Sequence, residues 1–251
     1  MRTCTIAVAV AALASVILAG MAQAAEIHVL STNGVKTVVE ELAPQFEKAT
    51  GHKLVVRFAP AAELKGEIEK GAAFDLAILT AAATDDLLRQ KKLASATRAD
   101  VAKSGAGVAI RKGAPRPDIS NADAFKRTLL AAKSVAYVGV GATGANMTKI
   151  FERFGIAAEM KAKTRVLSGV SAPDAVAKGE AELGFTQISE ILPVAGAELA
   201  GPLPPEVQVY TVFSAAVGTL ARQPAAAEAF LKFLTAPAAS PVIKAKGMER
   251  G

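Results

Sequence analysis

Short apolar runs alternate with helical periodicities along most of the chain. Glu26-Ile-His-Val-Leu30 reads as a strand, and Val35, Val38, Val39, Leu42 and Phe46 then fall on one face of a helix that runs to Thr50 and stops at Gly51. Lys53 to Phe58 predicts a second strand, Ala62 to Lys70 a helix closed by Gly71, Phe74 to Leu79 a third strand, and Thr84 to Lys91 a third helix. Around Gly105-Ala-Gly107 the pattern changes. Val108 to Ile110 reads as a short strand, and Arg111 to Asp118 as a basic loop with Pro115 and Pro117. A second alternation predicts helix Asn121 to Ala132, strand Ser134 to Val138, helix Ala145 to Phe154, strand Arg165 to Leu167, helix Ala172 to Lys178, strand Glu182 to Thr186 and a short helix Ile188 to Leu192. Gly201-Pro-Leu-Pro-Pro205 precedes a long strand, Val207 to Phe213, and helix Ala225 to Leu234 leads into a basic tail. Strands alternating with helices imply right-handed βαβ units. The expected fold is α/β with two lobes, each a mainly parallel sheet flanked by helices, and with chain crossings near 105–110 and 205–215.

The first residues do not belong to that alternation. Arg2, an apolar stretch from Ile6 through Gly20, and Ala22-Gln-Ala24 form the charge, core and small-x-small pattern of a secretory signal peptide, 1–24. The apolar run is shorter than the ~20 residues of a spanning helix and lacks a basic stop-transfer flank. The expected division is therefore a leader at 1–24, lobe 1 at 25–107 plus 212–251, and lobe 2 at 108–211. Composition changes meaning once the leader is set aside. The single cysteine, Cys4, leaves with it, so disulfide and thiol chemistry leave too. The balance of 29 Lys+Arg over 23 Asp+Glu loses only Arg2, and 51% hydrophobic residues suffice for a core without cross-links. Basic groups at Arg111-Lys112, Lys126-Arg127 and Lys161 to Arg165 are dispersed, and at 5% aromatics there is no stacking platform for nucleic acid.

Open α/β sheets bind ligands beyond the carboxyl ends of their strands, where helices begin with unpaired N–H groups. After the first strand, Ser31, Thr32, Asn33 and Gly34 offer two hydroxyls, an amide and a flexible backbone; the alternative is an ordinary helix cap. Ala61 and Ala62 follow the second strand with backbone donors alone. Gly139-Val-Gly141-Ala-Thr-Gly144 matches G-x-G-x-x-G, but the next strand ends at Leu167-Ser-Gly169 without the acidic residue that holds a ribose. The turn is expected to cradle an anion through its glycines, Thr143, Gly144 and Asn146, with no dinucleotide cofactor. Gln187, beside Thr186, Ser189 and Glu190, can close from the second lobe. With His28 and His52 the only histidines, neither a histidine metal cluster nor a Ser-His-Asp triad is expected. Asp85-Asp86 at a helix start reads as dipole complementation.

The strand-Ser-Thr-Asn-Gly-helix opening of an exported two-lobe chain resembles the solute-binding proteins of ABC transporters, in particular the periplasmic molybdate-binding family. The segments that carry the resemblance are Ile27 to Leu42, Ala61 to Asp75, Ala142 to Gly155 and Gly179 to Ser189. It implies a type II periplasmic binding protein-like fold and a monomer in the periplasm. It also implies a small anion held between the lobes, and a permease in the inner membrane as partner. Molybdate binders of this family use a serine in each of the first two strand-to-helix turns and a tyrosine in the second lobe, positions occupied here by Gly34, Ala61 and Gln187. Each lost hydrogen bond to a buried dianion costs about 1.5–3 kcal/mol, so three losses argue against tight molybdate binding. Ala114 to Phe125, with Gly184-Phe-x-Gln-x-Ser-Glu190, is similar to the aconitate isomerase branch, which moves a proton and a double bond in a tricarboxylate. That chemistry needs a positioned base, for which Glu190, Glu63 and His28 are the candidates.

Overall fold

A computed structural model describes residues 24–139 and 142–251, so the leader call on 1–24 (all but its last residue), Cys4, and Val140 and Gly141 of the glycine turn lie outside the described residues. Strand β1 (Glu26–Thr32) runs parallel to β2 (Lys53–Ala59) on one side and to β3 (Leu76–Thr80) on the other. Helices α1 (Lys36–Thr50) and α2 (Ala61–Glu69) make the two crossovers, and α3 (Ala81–Arg89) follows β3. The predicted apolar face of α1 is buried at Val38, Val39, Leu42 and Phe46, and the helix ends where Gly51 adopts φ 76°, a conformation that costs glycine least.

A single long strand joins the two halves of the sheet. β4 (Ala99–Arg111) pairs through Ala99–Gly105 with β9 (Tyr210–Val217), and through Ala106–Arg111 with β7 (Leu183–Gln187) and β8 (Ala197–Pro202). Beyond β7, strands β5 (Val135–Val138) and β6 (Thr164–Leu167) continue in parallel. The two halves then have one topology, β2-β1-β3-β9-β4 and β6-β5-β7-β4-β8, in which the fourth strand of each runs against its neighbours. This architectural repeat leaves no repeat in the sequence. Helices α4 (Ala122–Ala131), α5 (Ala142–Arg153), α6 (Ala157–Lys163), α7 (Ala172–Ala177) and α8 (Ile188–Ile191) belong to the second half. The chain closes with α9 (Pro224–Thr235), α10 (Ser240–Ala245) and a short β10 (Glu249–Arg250) that pairs with β4.

Each half has its own core. Phe46, Phe213 and Phe230 anchor the first, with Leu64, Leu79 and Leu87 on the opposite face of the sheet. Phe125, Phe151 and Phe185 anchor the second. Asp75, 2% exposed, pins the first half together by accepting from the backbone N–H groups of His28, Arg222 and Gln223 at 2.7–2.9 Å. His52 accepts the Ala25 N–H at 3.1 Å, a structural use for that histidine.

Several element boundaries differ from the expectation. The strand expected over Val108 to Ile110 begins at Ala99, because small residues interrupt its apolar run where neighbours press close: a Cβ on Gly107 would lie 2.8 Å from Leu199 and 2.9 Å from Ile188. The long strand begins at Tyr210 and extends to Val217 rather than spanning Val207 to Phe213, since Gln208 is taken up bonding the Ala106 backbone at the crossing. Strand β8 and helix α6 lack the periodicity that would have announced them; β8 is half-buried at every residue but its last, without alternation.

Candidate functional site

The carboxyl end of β1 passes through a 3-10 turn (Asn33–Val35) into α1. Ser31 is fully buried, and its hydroxyl donates to the Thr32 carbonyl at 3.3 Å. Thr32 occupies the cap position but makes no side-chain cap hydrogen bond, while Asn33 is exposed. Gly34 has no space for a side chain: a Cβ there would lie 2.3 Å from Cζ of Phe213. The space a side chain would need there is filled by the Phe213 ring from β9. At the second turn, half-buried Ala61 and exposed Ala62 open α2 behind Pro60, which provides no side-chain cap. Thr80, Asn121 and Ser171, by contrast, each accept an N–H in the first turn of the helix they open. The helix starts after β1 and β2 therefore keep first-turn N–H groups that no side chain of their own caps.

The second half meets these turns through the end of β7. Gln187 Nε2 donates to Thr143 Oγ1 and to Thr211 Oγ1, both at 3.3 Å, joining the start of α5 and the start of β9. Thr186 Oγ1 donates to the Glu190 carboxylate and lies 3.4 Å from Gln187 Oε1. Ser189 Oγ donates to the Gly34 carbonyl at 2.8 Å, and the Ser189 N–H donates to Ser104 Oγ at 3.3 Å. Gly144 serves packing: a Cβ would lie 2.6 Å from the Val138 carbonyl oxygen and 2.7 Å from that of Gly139, so α5 sits tight against the end of β5. Glu190 has its carboxyl pKa raised by burial, against the opposing pull of hydrogen bonds from the Thr186 hydroxyl and the Gln187 backbone.

Residues 27–249 match the family model of the bacterial extracellular solute-binding proteins. The chain belongs to that family. Among its relatives, this solute-binding protein is 35% identical over 254 residues to an aconitate isomerase of Pseudomonas sp, an alignment covering 99% of the chain and 97% of the relative. It is 27% identical over 245 residues to the molybdate-binding protein ModA of Azotobacter vinelandii, covering 95% of each. The solved periplasmic molybdate-binding protein of that organism superposes with a TM-score of 0.76 at 22% identity, over 90% of this chain and 99% of that one. The architecture is that of the type II periplasmic binding proteins, as the resemblance implies.

In this solute-binding protein, the structure brings Thr143 and Gln187 into direct contact, and joins Gly34 to the neighbour of Glu190. Among the described residues, no side-chain hydrogen bond links Asn33 or half-buried Asn146 to that cluster. The three candidate bases separate. Glu63 is exposed and paired with Arg57 at 2.8 Å, and His28 is half exposed and paired with Glu26 at 3.1 Å. Of the three, Glu190 alone belongs to the hydrogen-bonded cluster around Gln187. Thr211, Ser104 and Phe213 were not singled out by sequence because each sits on a strand and reads as ordinary filling. Lys36 was also missed; its ammonium lies 5.6 Å over the ring of Phe58 at the end of β2, placing a cation beside the first two turns. Among the described residues, no group of three or more His, Cys, Asp or Glu side chains is placed to hold a metal, and no helix is long and apolar enough to cross a membrane.

Proposed function

We propose that this solute-binding protein captures a small organic polycarboxylate of the aconitate class between lobe 1 (25–107 with 212–251) and lobe 2 (108–211). The observation that carries this reading is the site at Gly34, where Phe213 takes the volume of the family's serine. With Ala61 and Gln187 at the other two positions, the oxyanion's hydroxyl set gives way to an amide and threonine hydroxyls. A planar carboxylate suits such a surface. Its oxygens take N–H donors at the uncapped helix starts and the Gln187 amide, and its carbon frame packs on apolar surface. Ligand-binding roles are assigned to the turns carrying Thr32, Asn33, Gly34, Ala61, Ala62, Thr143, Gly144, Asn146 and Gln187, with Ser31 supporting the first turn from beneath. The protein acts as a periplasmic monomer freed from its leader by cleavage after Ala24, and delivers its ligand to an ABC transporter permease.

Thermal unfolding in the presence of candidate ligands tests the reading. A ligand at 100 times its dissociation constant adds about 2.7 kcal/mol. Clear upward shifts are expected with cis- or trans-aconitate and none with molybdate, tungstate or sulfate at the same concentration. Stabilisation by molybdate without any by carboxylates overturns the proposal.

A second reading, cofactor-independent cis/trans isomerisation of aconitate, is favoured by the 35% identity to an aconitate isomerase and by a carboxylate with a raised pKa in the cluster. Conversion of cis- to trans-aconitate by the purified protein tests it, and the absence of turnover at high protein concentration removes it.

A further inference from the structure

The turns described above stand at the carboxyl ends of β1 and β2. The opposite, amino end of the same sheet carries a space of its own. Residues 71–75 lead into β3 and residues 218–222 follow β9, which runs against β3 with Leu76 opposite Val217. A cavity of about 210 Å³ lies against these two segments, and a second of about 120 Å³ shares Phe74, Leu220 and Arg222 with it. Together they reach the lower end of the range for small-molecule sites. Backbone bonds fix the walls: the Gly218 N–H donates to the Asp75 carbonyl at 2.9 Å, and the Thr219 N–H to the Lys92 carbonyl at 3.1 Å. Gly218 lets the segments close up, since a Cβ there would lie 3.0 Å from Cε2 of Phe74.

The two cavities differ in chemistry. In the larger, buried Ile68, half-buried Phe74 and Leu220, which is 92% exposed, supply apolar surface. Lys92 and Arg222 supply two positive charges, and no carboxylate belongs to its lining. Arg57, Lys65 and Arg89 of the same half are paired with Glu63, Glu69 and Asp86, whereas among the described residues Lys92 and Arg222 form no salt bridge. Glu69 is within electrostatic reach of Lys92 but is held by Lys65 at 2.6 Å and by Gln90 at 2.7 Å. The smaller cavity contains an acid, Asp75, whose oxygens already accept three backbone N–H groups, and His28, which faces Glu26 at 3.1 Å. Positive charge is thus concentrated at one end of the groove and negative charge at the other.

We propose that this groove is a second binding site, apart from the cleft, for a small organic anion of the aromatic monocarboxylate class. Its carboxylate takes Lys92 and Arg222, whose guanidinium offers a forked pair of donors, and its ring lies against Phe74 and Leu220. An inorganic anion leaves the apolar surface unfilled, and a neutral hydrocarbon leaves two cations unanswered. A second carboxylate on the ligand is disfavoured by Asp75. The inference is independent of what the cleft binds.

Benzoate is the probe, with benzamide as its uncharged counterpart and sulfate as an anion without a ring, each titrated into 15N-labelled protein and followed by NMR. Benzoate is expected to shift the amides of Ala72, Ala73 and Leu220 saturably, and to bind at least about tenfold more tightly than benzamide or sulfate. Lys92→Gln and Arg222→Gln change side chains at the protein surface, so each is expected to melt with wild type and to weaken benzoate about tenfold. Aconitate is expected to leave the benzoate shifts in place. No saturable shift up to about 10 mM benzoate, the weak end for a ligand of this size, overturns the proposal. So do benzamide or sulfate binding as well as benzoate, displacement of benzoate by aconitate, or wild-type affinity in both variants. The benzamide comparison is made on the wild-type protein, so it decides the matter even where a variant fails to fold.

Discussion

Gly34 shows how one missing methylene group reassigns a site. Its position beneath the Phe213 ring leaves 2.3 Å where a Cβ would stand, so restoring the family's serine forces the ring aside. Gly34→Ser is expected to destabilise by about 1–3 kcal/mol in urea unfolding, the usual cost of overpacking, without creating molybdate affinity. Pairing it with Phe213→Leu should recover part of the loss. Glu190 makes a second prediction, and its sign runs opposite to that of a salt-bridged carboxylate. Its folded pKa is raised by burial, so the folded state holds the proton more tightly than the unfolded chain does. Its contribution is fully present below the unfolded value, near 4.3 for glutamate, and is lost as pH rises through the folded pKa. Glu190→Gln is therefore expected to melt at a higher temperature than wild type at neutral pH, with the gap closing toward pH 4. A gap that widens on acidification would contradict the burial of that carboxyl.

At the scale of elements, α8 is only four residues long, yet it carries the contacts between the halves: Ser189 to Gly34 and Ser104, and Ile188 against Gly247. Such a helix has no stability of its own and is held by packing. Ser189→Ala removes the donor to a buried carbonyl and is expected to cost about 1 kcal/mol, read by urea denaturation. Asp75 ties the residues that lead into α9 to β1. Asp75→Ala strands three backbone donors at once, and with each bond to a charged acceptor worth about 1.5–3 kcal/mol the variant is expected to lose several kcal/mol and to unfold well below wild type in a thermal scan. Asp75→Asn, which retains one acceptor oxygen, should lose less.

For the whole molecule, the expected leader makes a prediction of its own. Mass spectrometry of the protein recovered from periplasm is expected to show a chain beginning at Ala25; a retained leader would overturn cleavage after Ala24. Most of the α/β alternation was legible because α1, β3 and their like carry periodicities that depend on residues a few positions apart, and because Gly51 marks a stop in its own right. The turns that could bind an anion were legible for the same reason, as polar or small residues at strand ends. What the residues meant there was not. The residues Ser31 to Asn33 fit a ligand-binding turn and an ordinary cap equally well, whereas in the fold Thr32 makes no side-chain cap and Ser31 is buried. Only the fold sets Phe213 over Gly34 across 179 positions of chain, Gln187 between Thr143 and Thr211, and Glu190 beside Thr186, while leaving Glu63 paired with Arg57 and His28 beside Glu26 at the surface. The sequence by itself determined the fold class. The tertiary structure decided which groups face one another, because local patterning reports the burial of a side chain but not the identity of its distant neighbour.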